Sequence, residues 1–199
     1  QVVIDKALDA EQESALGLQA YREILSQEQA VDPNSEIARQ IQGIATRLID
    51  KIDEVERDLA SERGIEARNF AADFDWTVNV IQSEQANAFA LPGGKMAVYT
   101  GLVPVAKNQD GMAAVMGHEI AHALMRHGAQ RMARGKLEQI GQMAGAAGGM
   151  DASTMQTVMS AYGVTSALPY ARSHETQADE VGLMLAAAAC FDPREAVPL

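Results

Sequence analysis

The string Gly117-His118-Glu119-Ile120-Ala121-His122 limits the local fold of this chain more than any other segment does. Its two histidines are four residues apart, a spacing that places side chains on one face of an α-helix with Cβ atoms about 5–6 Å apart. Two imidazoles placed in this way can both reach one Zn²⁺ at about 2.0–2.1 Å. The string therefore predicts a helix that offers two ligands to a single metal ion.

Glu119 directly follows the first of these histidines. On a helix its carboxylate is rotated about a third of a turn away from the imidazole pair, so it reaches a water beside the ion more easily than the ion itself. A carboxylate there can take a proton as the water attacks a carbonyl. In a chain with four histidines the pattern arises by chance on the order of once in a few hundred sequences, so a general base is the stronger interpretation.

A catalytic zinc usually has three protein ligands and an open position, so the two histidines leave the site one ligand short. Glu175 and Asp179 are four residues apart in a predicted last helix and would share a face. Spacing alone allows Glu175 as the third ligand and Asp179 as the partner of a ligating imidazole, but it equally allows a solvated acidic face. His127 is the poorer candidate, because it falls on the opposite face of a helix predicted from about Gly111 to Arg134.

The other patterns predict helices, then a small sheet, then helices again. Apolar residues recur at three- and four-residue steps from Ile37 to Leu59, which is typical of an amphipathic helix. Phe74 to Ile81 alternates as a strand does, and Pro92-Gly93-Gly94 between two short apolar runs indicates a β-hairpin. We therefore expect one α+β domain over residues 1–199, with a helical scaffold at 1–63, the small sheet at 70–105 and the catalytic helices at 110–190.

Charge and composition exclude several kinds of function. The formal net charge of −11 argues against a nucleic-acid surface, which needs clustered Lys and Arg. The single cysteine excludes a cysteine-based zinc site. The longest strictly apolar run, Leu183 to Phe191, is far shorter than the roughly 20 residues of a membrane-spanning helix. Any peripheral or lipid anchoring is therefore expected from outside this chain, and no pattern indicates an oligomeric state.

At the level of whole motifs, the sequence resembles the zinc metallopeptidases related to the CAAX prenyl protease and to HtpX. Four strings carry the resemblance: Asn87 to Gly94, Tyr99 to Leu102, Gly117 to Ala123 and Glu175 to Asp179. The resemblance implies a mainly helical, zincin-like domain of the gluzincin type, with one Zn²⁺ per chain, Glu175 as third ligand and Asp179 beside the ligands. Within the family the chain looks most like the soluble quality-control branch, which implies a periplasmic location, free or attached to the membrane.

The resemblance also implies where a peptide substrate lies. The strand that begins at Lys95 is expected at the edge of the sheet, where an extended peptide could pair with it. Lys95, Met96 and Ala97 are then candidate contacts of the substrate cleft. Asn87 and Ala88 are expected to present amide or backbone groups to the same peptide.

Two features are left open by the sequence. The group that stabilises the oxyanion could be Tyr170, Arg172 or His174, although each could equally be an ordinary loop or capping residue. Eight methionines fall between Met112 and Met159, in a stretch that is also rich in glycine. They form either a pliable lid over the cleft or a gap-filling part of the core.

Taken together, the residues and the resemblance predict a zinc-dependent endopeptidase that hydrolyses peptide bonds through an activated water. Misfolded or misassembled proteins are the substrates that the resemblance implies. One alternative is a chaperone-like or partner-binding zinc protein with little or no proteolytic activity. A second alternative is a purely structural zinc site.

Overall fold

The computed structural model describes residues 9–67, 69, 71–134, 151–164 and 170–196. Its α-helices are α1 (Ala10–Gln27), α2 (Glu36–Ile49), α3 (Ile52–Glu62), α4 (Val103–Ala106), α5 (Gln109–Leu124), α6 (His127–Arg134), α7 (Ala152–Ala161) and α8 (Arg172–Ala188). Its strands are β1 (Thr77–Ile81), β2 (Ala88–Leu91) and β3 (Lys95–Tyr99), and short 3-10 turns cover Thr100–Leu102 and Pro193–Glu195. This architecture confirms the α+β fold class. Over the described residues, no helix combines the length and the apolar character that crossing a membrane requires.

Helices α1 and α2 begin at capping residues, Asp9 and Ser35. Asp9 accepts a hydrogen bond from the backbone of Gln12 at 2.7 Å, and the Gln12 side chain accepts one from Asp9 in return at 3.1 Å. The apolar period that predicts one helix from Ile37 to Leu59 is divided between α2 and α3, because the chain turns at Asp50 and Lys51. The period survives the turn because both helices bury their apolar residues in the same core.

The sheet has the strand order β1-β3-β2, with β1 parallel and β2 antiparallel to β3. The hairpin between β2 and β3 turns at Gly93 and Gly94, whose φ angles of 81° and 83° suit glycine. The prediction that the strand beginning at Lys95 lies at the edge was wrong, because β1 pairs with its second side. The outer edges of this sheet belong to β1 and β2.

The three candidate cleft residues at the start of β3 lie in the interior. Met96 and Ala97 are fully buried. Lys95 is also buried, and its Nζ donates to the backbone oxygen of Asp75 at 2.6 Å, to the Asp75 carboxylate at 2.8 Å and to Thr77 at 3.1 Å. The expectation that these three residues contact a substrate peptide is therefore corrected. Lys95 fixes the segment before β1, and no backbone hydrogen-bonding side of β3 remains for a peptide.

The helix predicted from Gly111 to Arg134 is two helices, α5 and α6. α5 is capped by Asn108, whose side chain accepts from Gly111 N at 2.8 Å, and the chain then breaks at Arg126, where φ is 56°. The Arg126 side chain forms an ion pair with Glu13, a buried residue of α1. This tertiary contact fixes the left-handed residue, and α6 therefore starts in a new direction at His127.

Helices α5 and α8 cross with their backbones in contact. A Cβ atom at Gly117 would lie 2.7 Å from Gly182 O, and one at Gly182 would lie 2.6 Å from His118 N. Both distances are shorter than Cβ contacts allow, so only glycine permits this approach. The crossing brings α8 directly against the histidine-bearing part of α5.

The sheet separates two groups of buried side chains. One face packs against α2, α3, α5 and α8, and contributes Val80, Ala88, Ala90, Met96 and Val98. The other face packs against α1 and α7, and contributes Ile81, Phe89, Leu91, Ala97 and Tyr99. The alternation of faces along each strand therefore joins α1 and α7 to the helices that carry the candidate ligands.

Much of the glycine- and methionine-rich stretch lies outside the described residues, including 135–150. Among the methionines that are described, Met112, Met116 and Met132 are buried in the core. The gap-filling interpretation fits these three residues. The lid interpretation concerns the part of the stretch outside the described residues.

Candidate metal centre

Helices α5 and α8 bring three potential metal ligands together. His118 Nε2 lies 3.0 Å from His122 Nε2 and 3.3 Å from a Glu175 carboxylate oxygen. His122 Nε2 lies 3.8 Å from the second oxygen of Glu175. The two histidines are one turn apart on α5, and Glu175 lies in the first turn of α8. The close crossing of α5 and α8 at Gly117 and Gly182 therefore allows the Glu175 carboxylate to face both imidazoles.

Asp179 supports the outer histidine. Its Oδ1 lies 2.8 Å from His118 Nδ1, one helical turn after Glu175. If His118 carries its proton on Nδ1, it donates to this carboxylate and leaves a lone pair on Nε2, which faces His122. A carboxylate in this position can orient an imidazole.

His122 is supported on the inner side by a residue that the sequence analysis placed elsewhere. His127 was expected on the opposite face of one long helix, away from the two candidate histidine ligands, and that placement was wrong. Its side chain is fully buried, with Nδ1 2.8 Å from His122 Nδ1 and Nε2 3.0 Å from Gln177 Oε1. Burial lowers the pKa of His122 to about 2 and that of His127 to about 4, so both rings are neutral near pH 7.

Glu119 lies beside the ligands and is only partly exposed. Burial raises the pKa of its carboxyl group to about 8, and the negative charge of Glu175 adds to the rise. A cation held by Glu175 and the imidazoles would act in the opposite direction and favour the ionised form. The position therefore suits a carboxylate that exchanges protons beside a bound metal.

The donor set fits a divalent cation such as zinc. Two imidazole nitrogens and one carboxylate are a known catalytic zinc set, and tetrahedral ligands at about 2.05 Å from the ion are about 3.4 Å apart. The three distances between His118, His122 and Glu175 run from 3.0 to 3.8 Å and bracket that value. His122 is buried, whereas the side chains of His118 and Glu175 are 20% and 41% exposed, so the group opens to one side. That side can admit a fourth ligand.

Asn87 and Ala88 lie at the start of the edge strand β2. The Asn87 side chain donates to Val164 O at 3.2 Å, and its backbone oxygen accepts from Tyr99 N at 3.0 Å. Hydrogen-bonded pairs alternate along an antiparallel ladder, so the backbone groups of Ala88 and Ala90 point away from β3. The backbone of Ala88 is thus on the outer edge of the sheet, while the Asn87 amide is bonded within the chain.

The three candidates for oxyanion stabilisation lie in different surroundings. Tyr170 stacks on the His122 ring with centroids 4.0 Å apart, and the Arg131 guanidinium lies 3.6 Å from the centroid of the tyrosine ring. His174 is buried and bonded to Gln130 Oε1 at 3.0 Å. Arg172 is exposed in the first turn of α8. Of the three, Tyr170 is the one whose ring lies against a candidate ligand.

Residues 50–199, about three-quarters of the chain, match Peptidase family M48. The chain belongs to this family. The match includes all of the candidate ligands and Glu119, so the geometry described above belongs to the M48 part of the chain.

Several curated metalloendopeptidases and proteases are similar to this M48 chain. The mitochondrial metalloendopeptidase OMA1 of Schizosaccharomyces pombe is 39% identical over 128 residues, which cover 64% of this chain and 37% of that protein. The human mitochondrial metalloendopeptidase OMA1 is 34% identical over 130 residues, covering 60% of this chain and 24% of that protein. The beta-barrel assembly-enhancing protease of Escherichia coli O157:H7 is 29% identical over 126 residues, covering 58% and 25%. The chain thus spans well under half the length of these relatives.

Sequence reasoning missed two features of the M48 site. Gly182 is an isolated glycine inside a helical pattern, and such a glycine is a recognisable sign of close packing. His127 and Gln177 gave no usable sign, because their contact depends on the break at Arg126. That break is fixed by a side chain more than a hundred positions away in the sequence.

Proposed function

We propose that this chain is the catalytic part of a zinc-dependent endopeptidase. The observation that carries the proposal is the convergence of His118 Nε2, His122 Nε2 and the Glu175 carboxylate at 3.0–3.8 Å, with Glu119 next to His118 on α5. Membership of Peptidase family M48 and similarity to named metalloendopeptidases support it.

Different residues of the site have different roles in the proposed reaction. Bound zinc would polarise the carbonyl of the scissile bond and make a nearby water more acidic. Glu119 takes a proton from the attacking water and passes it to the leaving amine. Asp179 keeps the His118 ring in position, while the partial exposure of His118 and Glu175 leaves room for the peptide on the outer side.

The substrate peptide pairs with the outer edge of β2 in this proposal. The backbone of Ala88 and Ala90 points to that edge, and β2 packs against α5, which carries the histidines. The variant Ala88→Pro lacks one N–H at this edge, where proline is tolerated. We expect it to raise KM for a peptide substrate with zinc content unchanged. An unchanged KM would contradict peptide binding at this edge of β2.

Tyr170 is the residue that we assign to the developing oxyanion, because its ring lies against His122. The variant Tyr170→Phe keeps the stacked ring and removes the hydroxyl group. Loss of one oxyanion donor lowers kcat by about 100-fold or more. We expect that loss with unchanged zinc affinity, and a kcat equal to the wild-type value would exclude this role.

Misfolded or misassembled proteins are the substrates that we propose. The name of the Escherichia coli relative, a beta-barrel assembly-enhancing protease, supports a role in protein assembly and its quality control. We keep the periplasm as the proposed location, with the mitochondrion, where the OMA1 relatives act by name, as the alternative. We also propose that this chain is related to HtpX and the CAAX prenyl protease within the family. The basis for this part of the proposal is the resemblance of the motifs.

A casein digestion assay tests the proposed activity. Metal-free protein should be inactive, and one equivalent of zinc should restore cleavage. The variant Glu119→Gln should bind the same amount of zinc and cleave far more slowly, because it cannot accept the proton. Equal cleavage by the variant would exclude the mechanism, and a zinc-loaded wild type without any cleavage would favour the chaperone-like alternative. Unfolding on metal removal without any activity to lose would favour a structural zinc site.

A further inference from the structure

We propose that His127 is a positioning residue that determines which ring nitrogen of His122 carries the proton, and that Gln177 determines this for His127 in turn. The proposal rests on the proposed metal site. It concerns two residues that are linked to the proposed ligands through the Nδ1 side of His122. Their effect would act through the buried ligand His122.

His122 must offer one particular nitrogen to the metal. Its Nε2 faces His118 and Glu175, so metal binding requires a free lone pair there. A neutral imidazole with a free Nε2 carries its proton on Nδ1. That Nδ1–H is buried and needs an acceptor, because an unpaired buried donor is costly. The atom in place is His127 Nδ1, at 2.8 Å.

His127 can accept this hydrogen bond only if its own proton is on Nε2. His127 Nε2 lies 3.0 Å from Gln177 Oε1, an oxygen that can only accept. The chain of donors therefore runs in one direction, from His122 Nδ1–H to His127 Nδ1, and from His127 Nε2–H to Gln177 Oε1. Each proton position follows from the next residue in the chain.

The opposite direction would disable the site. If the Gln177 amide nitrogen faced His127, the His127 proton would move to Nδ1 and point at His122. The His122 proton would then lie on Nε2, 3.0 Å from His118 Nε2, and would form a hydrogen bond between the two ligands. In that state His122 offers no lone pair to a metal, so the orientation of one amide separates a competent site from an incompetent one.

The two ligands thus have different supports that suit their surroundings. His118 is paired with the Asp179 carboxylate, which is 67% exposed and keeps its hydration. His122 and His127 are buried, and an ionised carboxylate in place of His127 would lose its hydration there. A neutral imidazole is an acceptor without that cost. His127 is also held in place by stacking on His174, with centroids 4.3 Å apart.

Zinc affinity is the first test, measured by competition with a chromogenic chelator in the wild type and three variants. His127→Phe keeps a buried ring and removes the acceptor, and we expect a loss of about 10–100-fold in affinity. Gln177→Met should lose affinity in the same direction. Gln177→Glu, which can only accept, should retain wild-type affinity or exceed it.

Tyr21→Phe is the matched control for loss of a buried hydrogen bond. The Tyr21 hydroxyl donates to Met96 O at 2.7 Å and accepts from Asn79 at 2.8 Å, on the N-terminal helix away from the candidate ligands. It should lower the melting temperature of the metal-free protein and leave zinc affinity unchanged. If His127→Phe binds zinc as tightly as the wild type, or if Tyr21→Phe loses as much affinity, the positioning role is overturned.

The proton positions provide a second test that does not need metal. Nitrogen-15 NMR of the histidine rings in metal-free wild type should show His122 protonated on Nδ1 and His127 on Nε2. A proton on His122 Nε2 would overturn the proposal even if every variant folded poorly. Failure of wild type to bind zinc would instead overturn the proposed function, so the two failures are distinguishable.

Discussion

Glu119 on α5 and Glu56 on α3 are two partly buried carboxyl groups with very different surroundings. Burial raises the pKa of each, to about 8 for Glu119 and about 7 for Glu56. Glu119 directly follows His118 on α5, and the Glu175 carboxylate is close enough to raise its pKa. Glu56 has only Asp53 as a charged neighbour that affects its pKa, and its Oε2 has no hydrogen-bond partner within the described part of the chain. A raised pKa therefore indicates burial, whereas the convergence of ligands indicates chemistry.

Conversion of each glutamate to glutamine tests this comparison with the largest expected effect. Glu119→Gln should lower kcat/KM for a peptide substrate by about 10²–10⁴-fold, because the proposed general base is lost. Glu56→Gln should retain the wild-type kcat/KM, since the Glu56 carboxyl group does not face the candidate metal ligands. Steady-state kinetics on zinc-loaded proteins of equal metal content make the measurement. Comparable losses in both variants would remove the distinction.

The helix crossing that holds the ligands together should be almost as sensitive. Gly182→Ala introduces a Cβ 2.6 Å from His118 N, so the two helices must separate. Overpacking of this kind costs about 1–3 kcal/mol, and zinc affinity should fall because Glu175 moves with α8. Urea unfolding of the metal-free protein and zinc titration are the two measurements.

Gly43→Ala is the matched control for that substitution. Gly43 lies on the exposed side of α2, and an added Cβ there would meet nothing within 4 Å. Alanine should therefore stabilise the helix by about 0.5–1 kcal/mol without changing zinc affinity. If Gly182→Ala behaves like Gly43→Ala, the close crossing does not hold the ligands.

Asp179 should affect the zinc affinity of the protein but not the stability of the metal-free fold. Asp179→Ala removes the partner of His118 and should weaken zinc binding by about tenfold or somewhat more. Because Asp179 is exposed, the free energy of unfolding without metal should change by no more than about 0.5 kcal/mol. Glu180→Ala, at the exposed neighbouring position, should leave zinc affinity unchanged. Equal zinc affinities in all three proteins would contradict the support of His118.

The smallest expected effect is the pH dependence of Glu56. The unfolded chain ionises Glu56 near pH 4.5 and the folded chain near pH 7, so its contribution to folding stability falls as the pH rises between these values. Glu56→Gln should therefore match the wild type at pH 4. At pH 8 it should be more stable by on the order of 1 kcal/mol, a value kept small because water reaches the side chain. A stability difference that is constant from pH 4 to 8 would refute the effect.

The local part of the site could be predicted from the sequence. The spacing of His118 and His122 fixes one helical face, and the same argument places Glu175 and Asp179 on one face of α8. Spacing could not decide whether these two faces meet, since that depends on the backbone contact at Gly182. The motif resemblance supplied that expectation, and the distances in the structure agree with it.

The parts that sequence analysis predicted wrongly depend on contacts between distant residues. β3 lies in the middle of the sheet because β1 pairs with it in parallel, and no pattern within β3 reveals that neighbour. His127 turns inward because Arg126 is held by Glu13 on α1. The helical spacing of apolar residues in a sequence can continue through such a break, although the helix itself ends there.

We propose that α5 and α8 together hold one zinc ion. An anomalous difference map at the zinc edge, from crystals grown with zinc, tests it most directly. We expect one peak per chain, about 2.0–2.2 Å from His118 Nε2, His122 Nε2 and a Glu175 oxygen. A peak coordinated without Glu175, or no peak between the two helices, would contradict it.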